Sequence, residues 1–325
     1  MLNRLSIQNK IALLAGLCLL AIVTLLVSAS IYQSKRSAEL VKTSSTQMLD
    51  LSARQNMQSI GKLQATRIQR YFMDNYQYGM GFSRQILFLR AQAEKRFLDA
   101  FDLREDLTRQ IGSALQGNRD LLGLYVVFNA NALDGKDEIF ANQPEVGSNE
   151  SGRFSVYWSQ GTPGQTESEV MTEESLADIT PGISGLPYNS WFTCPLQTEQ
   201  TCVIDPYFDE VNGKDVLMAT IAIPLIDNGK VIGVMGMDFS LSSIQELSLN
   251  AHRDLYDGEG HISIISPTGL LAGHSRDDAQ LGQKLESAFG SAEVRVIPAP
   301  CLGRCEQGPI AVVHQNPLPH ASVQK

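Results

Sequence analysis

The chain opens on an apolar run and then changes period twice. No charged residue occurs between Lys10 and Lys35, and Ile11 to Tyr32 reads IALLAGLCLLAIVTLLVSASIY. A helix of about 20 such residues crosses the roughly 30 Å of hydrocarbon in a bilayer. The run therefore predicts a transmembrane helix over 11–32, after a cytoplasmic N-terminus at 1–10. A cleavable signal peptide processed near Ser28-Ala29-Ser30 is the rival reading. The length favours a retained anchor, since signal cores are usually about 7–15 residues. Arg4 and Lys10 precede the span, and Lys35, Arg36 and Lys42 follow it. The positive-inside rule alone does not orient it.

From Ser34 to Gln143 there is no proline. Apolar residues return at helical spacing: Ile60, Leu63, Ile68, Tyr71 and Phe72, then Ile86, Leu89, Ala93 and Phe97. This predicts a long helix over 33–95, with a break available at Gly79-Met80-Gly81. A helix of that length needs a partner face, either the rest of the domain or a second chain. A homodimer through this helix and a plain stalk are both consistent with the pattern.

Past Leu121 the period shortens to that of strands. Leu122–Phe128, LGLYVVF, is one apolar run, and Gly152–Trp158, GRFSVYW, is another. Glu167 to Asp178 reads as a short acidic helix, and Pro181 to Pro195 as a loop. Two further runs, Val216–Leu225 and Val231–Met237, flank Asp227-Asn228-Gly229, the sequence form of an antiparallel hairpin. Ser240–Ala251 reads as a helical connector. A second strand–turn–strand, HISIISPTGLLAGHS, turns at Pro267-Thr268-Gly269. These elements predict an α+β fold with one antiparallel module over 96–241 and an incomplete second module over 242–295. The tail, 296–325, holds five prolines and two cysteines without sustained period, and reads as truncated or frame-shifted.

Charge and composition narrow the function. Of 325 residues, 43% are hydrophobic and 19% charged, as in ordinary globular chains. The net charge of −9 argues against nucleic acid as a partner and for cationic solutes. There is no Gly-x-Ser-x-Gly elbow, no His-Glu-x-x-His and no phosphate loop. The five histidines, at 252, 261, 274, 314 and 320, lie late in the chain. A membrane-anchored periplasmic enzyme is the reading of another class, and the residues give it little. Cys301, Cys305, His314 and His320 resemble a zinc set only superficially, because their central gap is short; neither a metal nor a cofactor is expected.

Cys194 and Cys202 bracket the short polar segment PLQTEQT. A disulfide there fits an oxidising compartment, and two unpaired thiols are the alternative. The soluble part is therefore expected to face the periplasm, from a single span in the inner membrane.

The candidate chemistry sits around the hairpin. Tyr207 and Asp209 precede its first strand, and Asp238 closes its second, directly after an apolar run. A lone carboxylate so near a core is costly, and a cationic ligand relieves the cost.

Together, the span, the long helix, the PY-x-D element at Pro206-Tyr207-Asp209, the strand end VIGVMGMDFSL and the second module's TG turn resemble the double-Cache sensor domain of bacterial methyl-accepting chemotaxis receptors. The resemblance covers roughly Ile11 to Leu285, and implies two PAS-like Cache modules, the second incomplete here. Histidine kinases and diguanylate cyclases carry the same input domain. The resemblance implies a signalling module that this chain does not contain. In amino-acid-sensing members an Arg-x-Trp-Tyr element holds the ligand carboxylate. Here that arginine falls on Ser155, and the aromatic pair is inverted to Tyr157-Trp158. The ammonium-holding half survives as Tyr207, Asp209 and Asp238. A site with acids and aromatics but no arginine fork resembles the polyamine and histamine receptors of pseudomonads.

A protonated amine suits such a site, through carboxylates and aromatic faces. A diamine needs an acid at each end: Asp238 with Asp209 at one, Asp205 or Asp178 at the other. Its alkyl chain would lie along Tyr157, Trp158 and Tyr207. Tyr188 and Trp191 would line the pocket or close the loop stapled by Cys194. Each residue also has a plainer role. Tyr157 and Trp158 fit a core, Asp209 fits a turn before Asn212-Gly213, Asp178 fits a solvated acidic face, and Asp238 fits a helix cap.

Overall fold

The computed structural model describes residues 7–162, 165–253, 261–275, 280–284 and 310–314. The chain divides into two compact units, Met1–Ile60 and Gly61–Lys325. Helix α1, Ile7–Arg96, runs through both. Within the first unit its apolar side chains, among them Leu14, Leu17, Leu20 and Leu25, are exposed. By length and composition this end of the helix is able to cross a membrane.

The break available at Gly79-Met80-Gly81 is not used: α1 is continuous there. A helical glycine costs only about 1 kcal/mol relative to alanine. Tertiary contact along α1 outweighs that, with Ile68, Phe72, Phe82 and Ile86 all buried. A second helix, α2 (Ala100–Gly117), follows and was not foreseen as a separate element. Asp99 caps it by accepting from the Phe101 amide. Leu103, Leu107, Ile111 and Leu115 recur every four residues and form its buried stripe.

The second unit is built on a six-stranded sheet in the order β3-β2-β1-β6-β5-β4. The strands are β1 (Gly123–Phe128), β2 (Ser155–Thr162), β3 (Gln165–Val170), β4 (Cys202–Val211), β5 (Lys214–Asp227) and β6 (Lys230–Ser240). All neighbours are antiparallel. Asn228-Gly229 and Asn212-Gly213 both have positive φ, the backbone of tight hairpin turns. The structure departs from the sequence reading at three places here. Tyr207 and Asp209 lie on a strand of their own, β4, not on a lead-in to the hairpin. The acidic helix is cut short: Gln165–Val170 is an edge strand, and only Glu173–Ala177 is helical (α3). The supposed loop up to Pro195 includes the start of α4 (Ser190–Thr198).

The helix side of the sheet takes α1 and α2. Tyr71 and Phe72 meet Phe239 edge-on, with ring centroids 6.1 and 5.9 Å away. The opposite side carries a second core of Tyr125, Val127, Tyr157, Tyr207, Met218, Ala222 and Val234, roofed by Leu176, Trp191 and Phe192. The connection from β1 to β2 is pinned by Arg104 of α2. Its fully buried guanidinium donates to Asp134 and Asp137, each at 2.8 Å, and lies 4.2 Å over the Phe140 ring.

After β6 the chain enters α5 (Leu241–Arg253), which packs on a separate three-stranded sheet, β8-β7-β9. Its strands are β7 (His261–Ile265), β8 (Leu271–His274) and β9 (Ile310–His314). Of the superficial zinc set, Cys301, Cys305 and His320 lie outside the described residues.

Candidate ligand site

Asp238 sits on β6 between Gly123 of β1 and Thr220 of β5. It is 2% exposed. The Thr220 hydroxyl donates to Asp238 Oδ1 at 2.5 Å, and the Tyr207 hydroxyl lies 2.9 Å from Thr220 Oγ1. The Tyr157 hydroxyl is turned towards Asp238 without closing a hydrogen bond. Tyr157 is itself 3% exposed, so this is a buried, unpartnered hydroxyl beside a buried acid. The ring lies flat because Gly123 beneath it has no side chain: a Cβ there would stand 2.4 Å from the Tyr157 oxygen.

Among the described residues no lysine or arginine forms an ion pair with Asp238 or Asp209. The electrostatic result follows. Burial pushes the Asp238 carboxyl up to about 7, against the hydrogen bond from Thr220, and the charge of Asp209 adds to the rise. Burial also raises Asp209, while bonds from the Tyr188 hydroxyl and the Glu210 amide work against it. The Tyr188 hydroxyl donates to Asp209 Oδ1 at 2.7 Å, and its ring meets that of Tyr207 edge-on at 6.0 Å. Tyr125, from β1, donates its hydroxyl to the Trp191 carbonyl at 3.0 Å and stacks edge-on against the indole at 5.1 Å. The Trp191 indole N–H is buried and without a partner. The arrangement is a pair of acids under a cover of aromatic rings, with no fixed cation among the described residues to balance them.

Of the residues singled out in the sequence, the structure brings together Tyr157, Tyr207, Asp209 and Asp238. Trp158 is on the other face. Successive strand residues point to opposite sides of a sheet, and the Trp158 ring lies over Gly112 of α2. Asp205 is also turned elsewhere. One extra residue in β4 between Ile204 and Tyr207 shifts the register against β5. The Asp205 carboxylate instead accepts from the Thr268 amide at 3.3 Å and its hydroxyl at 2.9 Å, in the turn between β7 and β8. Asp178 follows α3 and accepts from the Thr180 amide at 2.7 Å. Its charge reaches Tyr188, which puts it near the rim. Ser155 shares the Tyr157 face and gives its hydroxyl to the Met171 carbonyl at 2.7 Å.

Cys194 and Cys202 form a disulfide, with Cα atoms 6.3 Å apart. It ties α4, which carries Trp191, to the start of β4. Tyr125 and Thr220 were not singled out by sequence reasoning. Both sit inside runs that read simply as apolar strands, and only the cross-strand register puts them beside Asp238. Two open clefts of about 530 and 480 Å³ flank α2, and neither touches Asp209 or Asp238.

Comparison with known proteins bears on the family and the fold. Residues 107–246 match the family described as methyl-accepting chemotaxis protein-like, first PDC sensor domain. The chain is 62% identical, over 287 residues, to methyl-accepting chemotaxis protein TlpQ of Pseudomonas aeruginosa, which covers 88% of this chain and 40% of TlpQ. It is 32% identical over 100 residues to methyl-accepting chemotaxis protein PscA of Pseudomonas syringae pv. tomato, 30% of this chain and 14% of that protein. The chain thus spans less than half the length of either relative. Among solved structures, the extracellular domain of mmHK1S-Z3, described as a histidine kinase, aligns with a TM-score of 0.55 at 23% identity. That alignment covers 72% of this chain and 75% of that one, and shows a shared fold. The matched family is one of sensor domains, not of enzymes.

Proposed function

We propose that this chain, whose residues 107–246 form a sensor domain of the methyl-accepting chemotaxis receptor type, senses a small cationic amine for a transmembrane chemoreceptor. In this reading α1 anchors the chain in the inner membrane and pairs with the same helix of a second copy. The sensor domain faces the periplasm, where the Cys194–Cys202 disulfide is at home. The part of the receptor that passes the signal on belongs to the remaining length that its relatives have and this chain does not cover.

One observation carries the ligand class. Asp238 is buried, lacks a basic partner among the described residues, and faces the unpartnered hydroxyl of Tyr157. An ammonium group supplies what both lack: a positive charge for the carboxylate and a donor for the hydroxyl. Tyr125, Tyr157 and Tyr207 present aromatic surface around it, which suits a cation further. Ser155, whose hydroxyl is already committed to the backbone, offers no grip on a ligand carboxylate. An incoming ammonium would displace the Tyr188 hydroxyl from Asp209.

Calorimetric titration of the full chain tests the reading. Putrescine, spermidine or histamine should give heat, and ordinary α-amino acids should not. Tight binding of an α-amino acid, with none of the three amines bound, would sink the proposal.

A further inference from the structure

The acidic character of this face does not stop at Asp209. Glu169, on the edge strand β3, stands directly opposite Tyr157 of β2. Residues opposite each other in an antiparallel pair share a face, so Glu169 projects on the Tyr157 side of the sheet. Its charge reaches both the Tyr157 hydroxyl and Asp209. The reach to β4 has a visible cause. The tip of the β4–β5 hairpin comes over to β2, where the Ser159 hydroxyl donates to Asn212 Oδ1 at 3.2 Å. Glu167 stands opposite that same Ser159. Desolvation raises the Glu169 carboxyl, and Asp209, Glu210 and Glu167 push it further in the same direction. The basic group on this hairpin is the exposed Lys214, paired with Val211. Among the described residues Glu169 has no ion-pair partner.

These acids repel one another, and Asp238, Asp209 and Glu169 all act on the buried, unpartnered Tyr157 hydroxyl. We propose that Glu169 is an outer subsite for the second ammonium of a diamine whose first ammonium lies between Asp238 and Asp209. The inference rests on the amine reading above and adds a rule of selection to it. A monoamine reaches only the inner pair, and leaves the outer repulsion standing. A dication relieves both. Asp178 is not the outer acid, because its carboxylate is engaged by the Thr180 amide.

The test uses the full chain in detergent micelles, titrated calorimetrically with putrescine and with butylamine, which share a four-carbon chain and differ in the second amine. The parent should bind putrescine more tightly. Glu169→Gln should weaken putrescine by about two- to fivefold, the size of an exposed ion pair, and leave butylamine unchanged. Glu169→Lys should remove the preference altogether. Glu169 is exposed on an edge strand, so both variants should melt within a few degrees of the parent. Putrescine binding that is unaltered in both variants, or equal losses for the two amines, overturns the outer subsite and leaves the amine reading standing. A parent that binds neither amine overturns the outer subsite, and the amine reading with it where spermidine and histamine also give no heat.

Discussion

Gly79 of α1 lies directly behind Met237 of β6: a Cβ at Gly79 would stand 2.5 Å from Met237 Cε and 2.8 Å from Ile223 Cδ1. The next residue on the strand, Asp238, faces the other way. Strand alternation therefore puts the contact with α1 and the candidate ligand acid on consecutive residues, on opposite sides of one sheet. Gly79→Val should force α1 off the sheet or distort Met237. Overpacking of this kind typically costs about 1–3 kcal/mol, read as a lower Tm and a lower urea midpoint. An unchanged melting curve would show that Met237 repacks freely.

Asp238→Asn and Asp209→Asn should each leave the fold intact and weaken amine binding. Removing one charged partner of a buried ion pair typically costs about 2–5 kcal/mol, well over tenfold in affinity. Trp158→Phe should leave affinity unchanged, since its ring lies against α2. Calorimetry on the three variants separates the faces. Loss of affinity in Trp158→Phe equal to that in Asp238→Asn would put the ligand on the wrong side of the sheet.

The raised Asp238 carboxyl makes stability depend on pH. Folded, it titrates near 7; unfolded, near an ordinary value of about 3.9. Between these values the folded state holds a proton that the unfolded state has released, so stability falls as pH rises through this window. Asp209 and Glu169 shift in the same direction and add to the slope. The ligand-free parent should lose stability from about pH 4 to about pH 7, by an amount on the order of a few kcal/mol, while Asp238→Asn loses less. Saturating amine should flatten the slope, because the cation favours the ionised form. Identical pH profiles for parent and variant would refute the assignment to Asp238.

Reducing the Cys194–Cys202 bridge should loosen α4 and with it Trp191. The closed loop is short, with a sequence separation of 8, so the chain-entropy stabilisation is about 2–3 kcal/mol. Replacing both cysteines by serine should lower Tm and expose Trp191, seen as a red shift in its fluorescence. An unshifted spectrum would mean that packing alone holds α4.

Arg104→Met should be among the most damaging single changes. It leaves Asp134 and Asp137 with their charges uncompensated at side-chain exposures of 8% each. Breaking a buried pair in this way costs about 3–5 kcal/mol. Adding Asp134→Asn and Asp137→Asn should recover part of the loss, because the penalty belongs to the orphaned carboxylates. A triple variant no more stable than the single one would argue that packing over Phe140 matters more.

Much of this protein is written in local pattern. The uncharged run over 11–32 and the helical spacing after it announce α1, because a helix depends on neighbours three and four residues away. The Asn228-Gly229 hairpin is equally legible, since a two-residue turn with positive φ leaves little chemical choice. Asp238 stands out for a similar reason: an acid ending an apolar strand is visible in one dimension. The signature around Tyr207 and Asp209 was visible too, although their strand was not.

What the chain does not reveal locally is which residues meet. Tyr157 and Trp158 are neighbours in sequence and lie on opposite faces of the sheet, a consequence of strand alternation once Ser155–Thr162 is known to be a strand. Asp205 and Tyr207 look equivalent until one extra residue in β4 separates them, sending the acid to Thr268 and the ring to Thr220. Glu169 falls in the run, Glu167 to Asp178, that reads as a short acidic helix. It joins the proposed site only because β3 pairs with β2 and the tip of the β4–β5 hairpin reaches β2. Sequence alone marked α1, the Asn228-Gly229 hairpin and the kinds of side chain available. Tertiary register decided which carboxylates share one buried face, since that depends on strands far apart along the chain.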